Sequence, residues 1–306
     1  MDDLMVIGID HGWSHMKTKN HCFVSGISEI ETEPIVYEHV LEYSGKFYRI
    51  GGDRLKVQED KVSNENYYLL TLPAIGLEMK SRGVSQAHVV LAVGLPIGRF
   101  GAEKRSFINY LSKNKMVKFR YEKKKYTVFI ERVLVYPQCY GAIVGKLPEM
   151  HGQEFVVDIG SWTVDTLKVI DRSPDESSSG SDPNGIITCM RKIEEQCVKQ
   201  KNTKIDEYAI REVMIKGDAN LDREYIDIIK SEIVKYTKSV FRIIVEQGVN
   251  VKTTPITFVG GGAALMRRYG GIDQKNIAYI EDVRANAMGY ETLAELYLSA
   301  RMKREA

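Results

Sequence analysis

The sequence predicts an α/β protein of two domains built on one plan, with two matching turns facing each other across a cleft. Three observations carry that expectation. The stretch Val156-Val157-Asp158-Ile159-Gly160-Ser161-Trp162-Thr163-Val164-Asp165 is an apolar run that ends in an aspartate and turns through a glycine and small hydroxyl residues. Apolar alternation then resumes at Leu167, Val169 and Ile170. That pattern predicts a strand, a tight polar turn and a returning strand. The same plan occurs at the N-terminus, where Met5-Val6-Ile7-Gly8-Ile9 runs into Asp10-His11-Gly12-Trp13-Ser14-His15-Met16-Lys17. Two Asp-x-Gly turns about 150 residues apart read as an internal repeat. In each, backbone N–H groups and hydroxyls can face an anion while the aspartate is held at the strand end, so a phosphate and a metal suit such a turn. Third, Ile256-Thr257-Phe258-Val259 delivers Gly260, Gly261 and Gly262 to a helix start at Ala263 and Ala264, which either gives a strand-to-helix turn the room it needs or lets a flat ring or a phosphate approach the backbone. The dinucleotide-binding Gly-x-Gly-x-x-Gly is incomplete there, and no Gly-x-x-x-x-Gly-Lys-Ser/Thr loop occurs.

Taken in order, the first hairpin returns through His21 to Val24. Residues 30–50 alternate apolar and polar through Val36, Tyr37, Tyr43 and Tyr48, as small strands do. Gly51-Gly52-Asp53 opens a region of helical spacing, Tyr67 to Leu72 is aromatic and aliphatic, and residues 74–82 carry helical apolar spacing. Val89 to Pro96 is nearly all apolar and predicts a core strand buried on both faces. Residues 101–113 put Phe107, Ile108 and Leu111 on one face of an amphipathic helix. Residues 113–125 hold six lysines and one arginine around Phe119 and Tyr121. They predict a hairpin with a solvated charged face rather than a nucleic-acid surface. Arg132 to Tyr136 forms a strand that stops at Pro137, and proline fits the first turn of a following helix whose small residues, Gly141, Ala142 and Gly145, admit a close neighbour. Residues 172–185 are serine- and proline-rich and predict an exposed loop. Helical periodicity covers 185–199, 205–216 and, most strongly, 221–245. Residues 277–280 form a short strand, and a terminal helix runs from Asn286 to about Arg301.

Composition narrows the function. With 306 residues and 43% hydrophobic content, the chain can bury the cores of two domains. Lys plus Arg number 43 against 41 Asp plus Glu, so no global field recruits nucleic acid or an anionic membrane, and direct binding to either is not expected. Apolar runs fall short of the roughly 20 residues that span a bilayer. The acidic start at residues 1–3 is unlike a secretion signal, and a cytoplasmic protein is expected. Cys22, Cys139, Cys189 and Cys197 form no Cys-x-x-Cys pair and are expected as reduced thiols, while His11, His15 and His21 need not converge on a metal.

In this order and at these distances, the three glycine-bearing stretches resemble the phosphate 1, phosphate 2 and adenosine motifs of the actin, Hsp70 and sugar kinase superfamily of ATPases. Asp10, Gly12 and Lys17 fit the Asp-x-Gly-x-x-x-x-Lys of its ParM-like, plasmid-segregating actin-like group. The resemblance implies two actin-like (ribonuclease H-like) domains flanking a nucleotide cleft, each with a smaller inserted subdomain. Domain I would take 1–145, with a variable subdomain at about 30–75. Domain II would take 146–284, with a helical subdomain at about 186–247, and 285–306 would form a connecting helix returning to domain I. Together with the helix after Pro137 it would make the hinge.

The implied activity is slow ATP hydrolysis coupled to assembly of a filament of the chain with itself, in plasmid DNA segregation, through a DNA-binding adaptor. ATP and Mg²⁺ are the implied cofactors. Asp10 and Asp158 would hold the metal through its waters. The nucleotide would meet Asp10, Gly12, Trp13, Ser14 and Lys17 in the first turn, Gly160, Ser161, Trp162 and Thr163 in the second, and Gly260, Gly261, Gly262 and Ala263. Gln138 would orient the attacking water, and Asp158 would share the catalytic role. Asp165 would brace its turn. Trp13 and Trp162 stand where relatives carry small residues, and both are expected to pack outward and cover the turns. A sugar or acetate kinase of the same superfamily would need a carboxylate base, against which Gln138 speaks. An Hsp70-like chaperone or membrane-linked scaffold would need a substrate domain or an amphipathic tail.

Overall fold

The computed structural model describes residues 4–56 and 60–305. The acidic start and part of the helical spacing after Asp53 lie outside the described residues. The chain divides into two compact units at Lys146 to Leu147 and again at Val283 to Arg284, so its last segment returns to the first unit.

The first unit opens with the strands β1 (Leu4–His11), β2 (His15–Thr18), β3 (Cys22–Val24), β4 (Ile27–Ile30), β5 (Val40–Tyr43) and β6 (Lys46–Ile50). Helix α1 (Asn66–Ser81), strand β7 (Gln86–Leu95), helix α2 (Ile97–Leu111), strands β8 (Met116–Tyr121) and β9 (Lys124–Pro137) and the four-residue helix α3 (Tyr140–Ile143) follow. They build a nine-stranded sheet in the order β3-β2-β1-β7-β9-β8-β5-β6-β4. β7 is buried from Val89 to Leu95, as its unbroken apolar run predicts, and it lies parallel to β1 and β9. The basic hairpin β8–β9 turns Phe119, Tyr121 and Tyr126 into the core and its lysines away from it, the division expected of an antiparallel pair with one wet face.

Three sequence expectations change in this unit. The stretches 67–72 and 74–82 are one helix, with Pro73 inside it. α1 is buried on nearly every side, so packing outweighs the backbone hydrogen bond that proline forfeits. From Gly51 to Glu65 the described residues form bends and irregular backbone, not helix. Pro137 ends a strand instead of opening a helix: β9 stays paired with β7 to Leu95↔Pro137, Gln138 sits in a turn, and Cys139 takes a left-handed φ of 66° before α3.

The second unit contains β10 (Gln153–Ile159), β11 (Val164–Ile170), β12 (Ser173–Asp182), α4 (Ile186–Lys201), α5 (Glu207–Lys216), α6 (Arg223–Glu246), β13 (Ile256–Val259), α7 (Ala263–Tyr269) and β14 (Ile277–Ile280). Its five-stranded sheet runs β12-β11-β10-β13-β14. α6 buries Ile226, Ile229, Ile233, Tyr236, Val240 and Ile244 at three- and four-residue spacing against this unit's core. The expected exposed loop at 172–185 is instead mostly β12, antiparallel to β11 with a register shift between Thr166 and Lys168. An edge strand is held by backbone bonds to one neighbour, so its serine-rich side chains need show no apolar alternation. The chain then returns to the first unit as α8 (Ala285–Glu305), which packs on β1, β7 and α3. Gly289 is so close to α3 that a Cβ would overlap the Gly141 carbonyl, fulfilling the expected close approach of small residues.

Candidate functional site

The first turn is built from β1 and β2. Their register sets Asp10 opposite Lys17, and both side chains fall on the same face. Lys17 Nζ donates to Asp10 Oδ2 at 2.9 Å, and Gln138 Nε2 donates to Oδ1 at 3.2 Å. Gln138 gets there because β9 is anchored beside β7, with its own N–H on the Leu95 carbonyl at 2.9 Å. Burial by itself would raise the Asp10 carboxyl, but the charges of Lys17 and Lys61, with the Lys17 hydrogen bond, hold it below the usual carboxylate range. Lys61 is only 6% exposed. Sequence reasoning missed it, since a single lysine in an irregular stretch carries no periodic signal. The neighbouring His11 is buried, and burial followed by the Lys61 charge pushes its imidazole down to about 3, so it is neutral at pH 7. It packs edge-on to Phe107 with Nε2 2.9 Å from Thr71 Oγ1, while His21 meets Ser81 instead.

At the bend, a Cβ on Gly12 would stand 2.5 Å from the His15 carbonyl, so only glycine lets the turn close. Ser25 pins the bend by donating its hydroxyl to the Gly12 carbonyl at 2.7 Å and its N–H to the Ser14 carbonyl at 2.9 Å. The Ser14 hydroxyl is buried and has no hydrogen-bond partner among the described residues. A buried hydroxyl in that position costs free energy until an acceptor arrives, and a phosphate oxygen is such an acceptor. Trp13 corrects the expectation that it packs outward. It turns onto the first unit's core, edge-on to Tyr67 at 5.7 Å between ring centroids, because burying the indole against an aromatic wall outweighs leaving it in water.

The second turn is built from β10 and β11, and the third glycine-rich stretch joins it. β10 and β13 are parallel neighbours with Asp158 beside Val259, so the Asp158 turn and the triple glycine come together. The Asp158 carboxylate lies against Gly260: a Cβ there would stand 2.3 Å from Oδ1, and the residue has a φ of +80°, which also demands glycine. Gly262 donates its N–H to the Ile159 carbonyl at 3.0 Å, wrapping the bend around β10 before α7 begins at the buried Ala263. Across the β10–β11 ladder Asp158 faces Asp165, and both are buried. Thr163 Oγ1 donates to Asp165 Oδ2 at 2.8 Å, the bracing role expected of Asp165. The carbonyls of Gly160, Ser161 and Trp162 accept N–H groups from Ile186, Ile187 and Gly185, so the turn caps the start of α4. Trp162 is half-buried and covered by the Arg191 guanidinium, 5.2 Å from the ring centroid.

Residues 8–141 match the family model for the actin-like proteins N-terminal domain. Over the whole length, the archaeal actin homolog Ta0583 aligns with a TM-score of 0.78 at 21% identity, covering 96% of this chain and 99% of the other. The chain has an actin-like fold. A further structure of Ta0583, in complex with ADP, aligns at a TM-score of 0.74, 21% identity and coverages of 95% and 99%. The apo psk41 ParM protein aligns at 0.74, 19% identity, 97% and 99%. A 15-stranded ParM filament from Clostridium botulinum aligns at 0.73, 19% identity, 96% and 99%. No curated protein matches the sequence. The expected resemblance to actin-like proteins of the ParM type is thus borne out, by the family model over the N-terminal part and by the fold over nearly the whole chain. Among the described residues of this actin-like chain, no helix is long and apolar enough to cross a membrane.

Proposed function

We propose that this actin-like chain binds Mg-ATP, assembles with copies of itself into filaments, and hydrolyses ATP slowly to regulate filament stability. The observation that carries the reading is the first turn: a buried aspartate balanced by Lys17 and Gln138 beneath a bend whose Ser14 hydroxyl lacks a partner among the described residues. Lys17 and Lys61 offset phosphate charge there. Gln138 spends its amide N–H on Asp10, which leaves its carbonyl oxygen as the group that would accept from an attacking water. A neutral amide orders that water without acting as a strong base, so turnover is slow.

The donor set fits Mg²⁺. Among the described residues no three His, Cys, Asp or Glu side chains form a ligand group, and Mg²⁺ keeps several of its waters when bound by one or two carboxylates. Both Asp10 oxygens already hold protein donors, so Asp10 would reach a cation only through water, and Asp158 is the corresponding carboxylate of the second turn. When bound, the ion would neutralise charge developing on the phosphates. Gly260, Gly261, Gly262 and Ala263 would admit the nucleoside, with Gly160, Ser161 and Thr163 along the second turn.

The ADP complex of Ta0583 and the filament of the Clostridium botulinum ParM support nucleotide use and self-association. Plasmid segregation in the cytoplasm, through a DNA-binding adaptor and without direct contact to nucleic acid, extends the reading; the balanced net charge of +2 agrees with an adaptor. Light scattering of the purified chain with Mg-ATP, with Mg-ADP and without nucleotide, alongside phosphate release, tests it. Scattering should rise only with Mg-ATP and decay as phosphate appears; a flat trace at every protein concentration ends the filament reading.

A further inference from the structure

β1 is a half-open strand. On one side β7 pairs with it from Leu4 to Ile9, but on the other β2 pairs only from Ile9 to His11. Among the described residues that side has no strand neighbour upstream of Ile9, and side chains take the ladder positions instead. The Gly8 N–H donates to Glu291 Oε2 at 3.1 Å, and the Val6 carbonyl accepts Arg82 Nη1 at 2.7 Å. Arg82 Nη2 in turn reaches both oxygens of Glu291, at 3.1 and 3.2 Å, and Lys19 Nζ donates to Glu291 Oε1 at 3.1 Å. Glu291 comes from α8, Arg82 follows α1, and Lys19 follows β2, so three elements meet at the open edge.

Two further contacts set where the hairpin can lie. Glu78, fully buried, accepts from Thr18 Oγ1 at 2.6 Å and from both the N–H and the side chain of Asn20 at 2.9 and 2.8 Å. This fixes the end of β2, whose Thr18 is the register partner of Ile9. At Gly8 itself a Cβ would stand 2.0 Å from the Ala287 carbonyl, so the α8 backbone lies directly on the strand two residues before Asp10. A buried carboxylate that serves one backbone N–H and two cations is a strong, directional tie.

We propose that Glu291 is a positioning residue for the first turn: it replaces the missing stretch of β2, holds β1 in register, and so keeps Asp10 opposite Lys17. The nucleotide consequence rests on the function proposed above, while the mechanical one does not.

Hydrogen exchange on wild type, Glu291→Ala and Glu291→Gln tests the mechanical part without nucleotide. Glu291→Ala should speed exchange across residues 8–18 by about tenfold or more while residues 153–170 stay as in wild type. Glu291→Gln, which keeps an acceptor for Gly8 but loses the charge, should fall between the two. Equal change in both hairpins, or none in the first, overturns the proposal. If Glu291→Ala does not fold, Arg82→Met gives the same comparison from the other side of the tie. Titration with Mg-ATP then separates the two readings. A wild type that binds ATP and a Glu291→Ala variant about tenfold weaker support both. A wild type that does not bind ends the nucleotide reading and leaves the tie to be judged by exchange. Equal affinity in the two proteins removes Glu291 from the site.

Discussion

The two Asp-x-Gly hairpins share a sequence pattern and differ in what faces the aspartate. In the first, Asp10 has Lys17 across the ladder and Gln138 on its other oxygen, so its charge is balanced inside the protein. In the second, Asp158 has Asp165 across the ladder, and the Thr163 hydroxyl donates to Asp165. Like charges directly opposite on a ladder oppose each other. A turn with cations beside its aspartate suits phosphate oxygens, while one with two carboxylates suits a cation.

Breaking that comparison has graded effects. The largest expected is on activity: Asp158→Asn should lower phosphate release at least about a hundredfold with little change in folding, as loss of a main metal carboxylate does. Unchanged release, measured with saturating Mg-ATP, would move the cation elsewhere. Next, Lys17→Met should destabilise the chain by about 3 kcal/mol, because it removes the ion-pairing cation from a buried carboxylate. The counterpart in the second hairpin, Asp165→Asn, keeps an acceptor for Thr163 and should change stability by less than about 1 kcal/mol. Urea unfolding of the three proteins compares them directly, and equal losses would erase the distinction between the hairpins. Arg191→Ala, which uncovers Trp162, should cost under about 1 kcal/mol and change the indole fluorescence.

The smallest effect sharpens the first hairpin through pH. Burial would raise the Glu78 carboxyl, but hydrogen bonds from Thr18 and Asn20 and the Arg82 charge hold it below its ordinary 4.5. A carboxyl lowered in the folded state adds stability that is present above its unfolded pKa and is lost as pH falls through the folded one. The stability gap between wild type and Glu78→Gln should therefore be widest near neutrality and close as the pH drops below 4.5. A gap that is constant with pH would mean that Glu78 acts by shape alone.

Local pattern made much of this legible. Apolar alternation places β1, β10 and their returning strands, three- and four-residue spacing places α6, and glycine marks Gly12 and Gly260 as bends, since each signal lies within a few neighbours of the residue it concerns. β12 was not legible, because an edge strand is defined by its neighbour's backbone rather than by its own side chains. Trp13 was misread for a related reason: whether an indole turns in or out depends on Tyr67, 54 residues away.

The sequence by itself determined the repeated strand-turn-strand units, the glycines that let them bend and the aspartates at their ends, because short-range sterics and periodicity dictate those. Only the tertiary structure decided what gathers around each aspartate from outside its own hairpin. Lys61 beside Asp10, Gln138 on its second oxygen, Gly260 beneath Asp158 and Glu291 on Gly8 are brought in from 51 to 283 residues away. Their meeting depends on how sheets and helices close around buried apolar surface, and no local stretch of the chain encodes that.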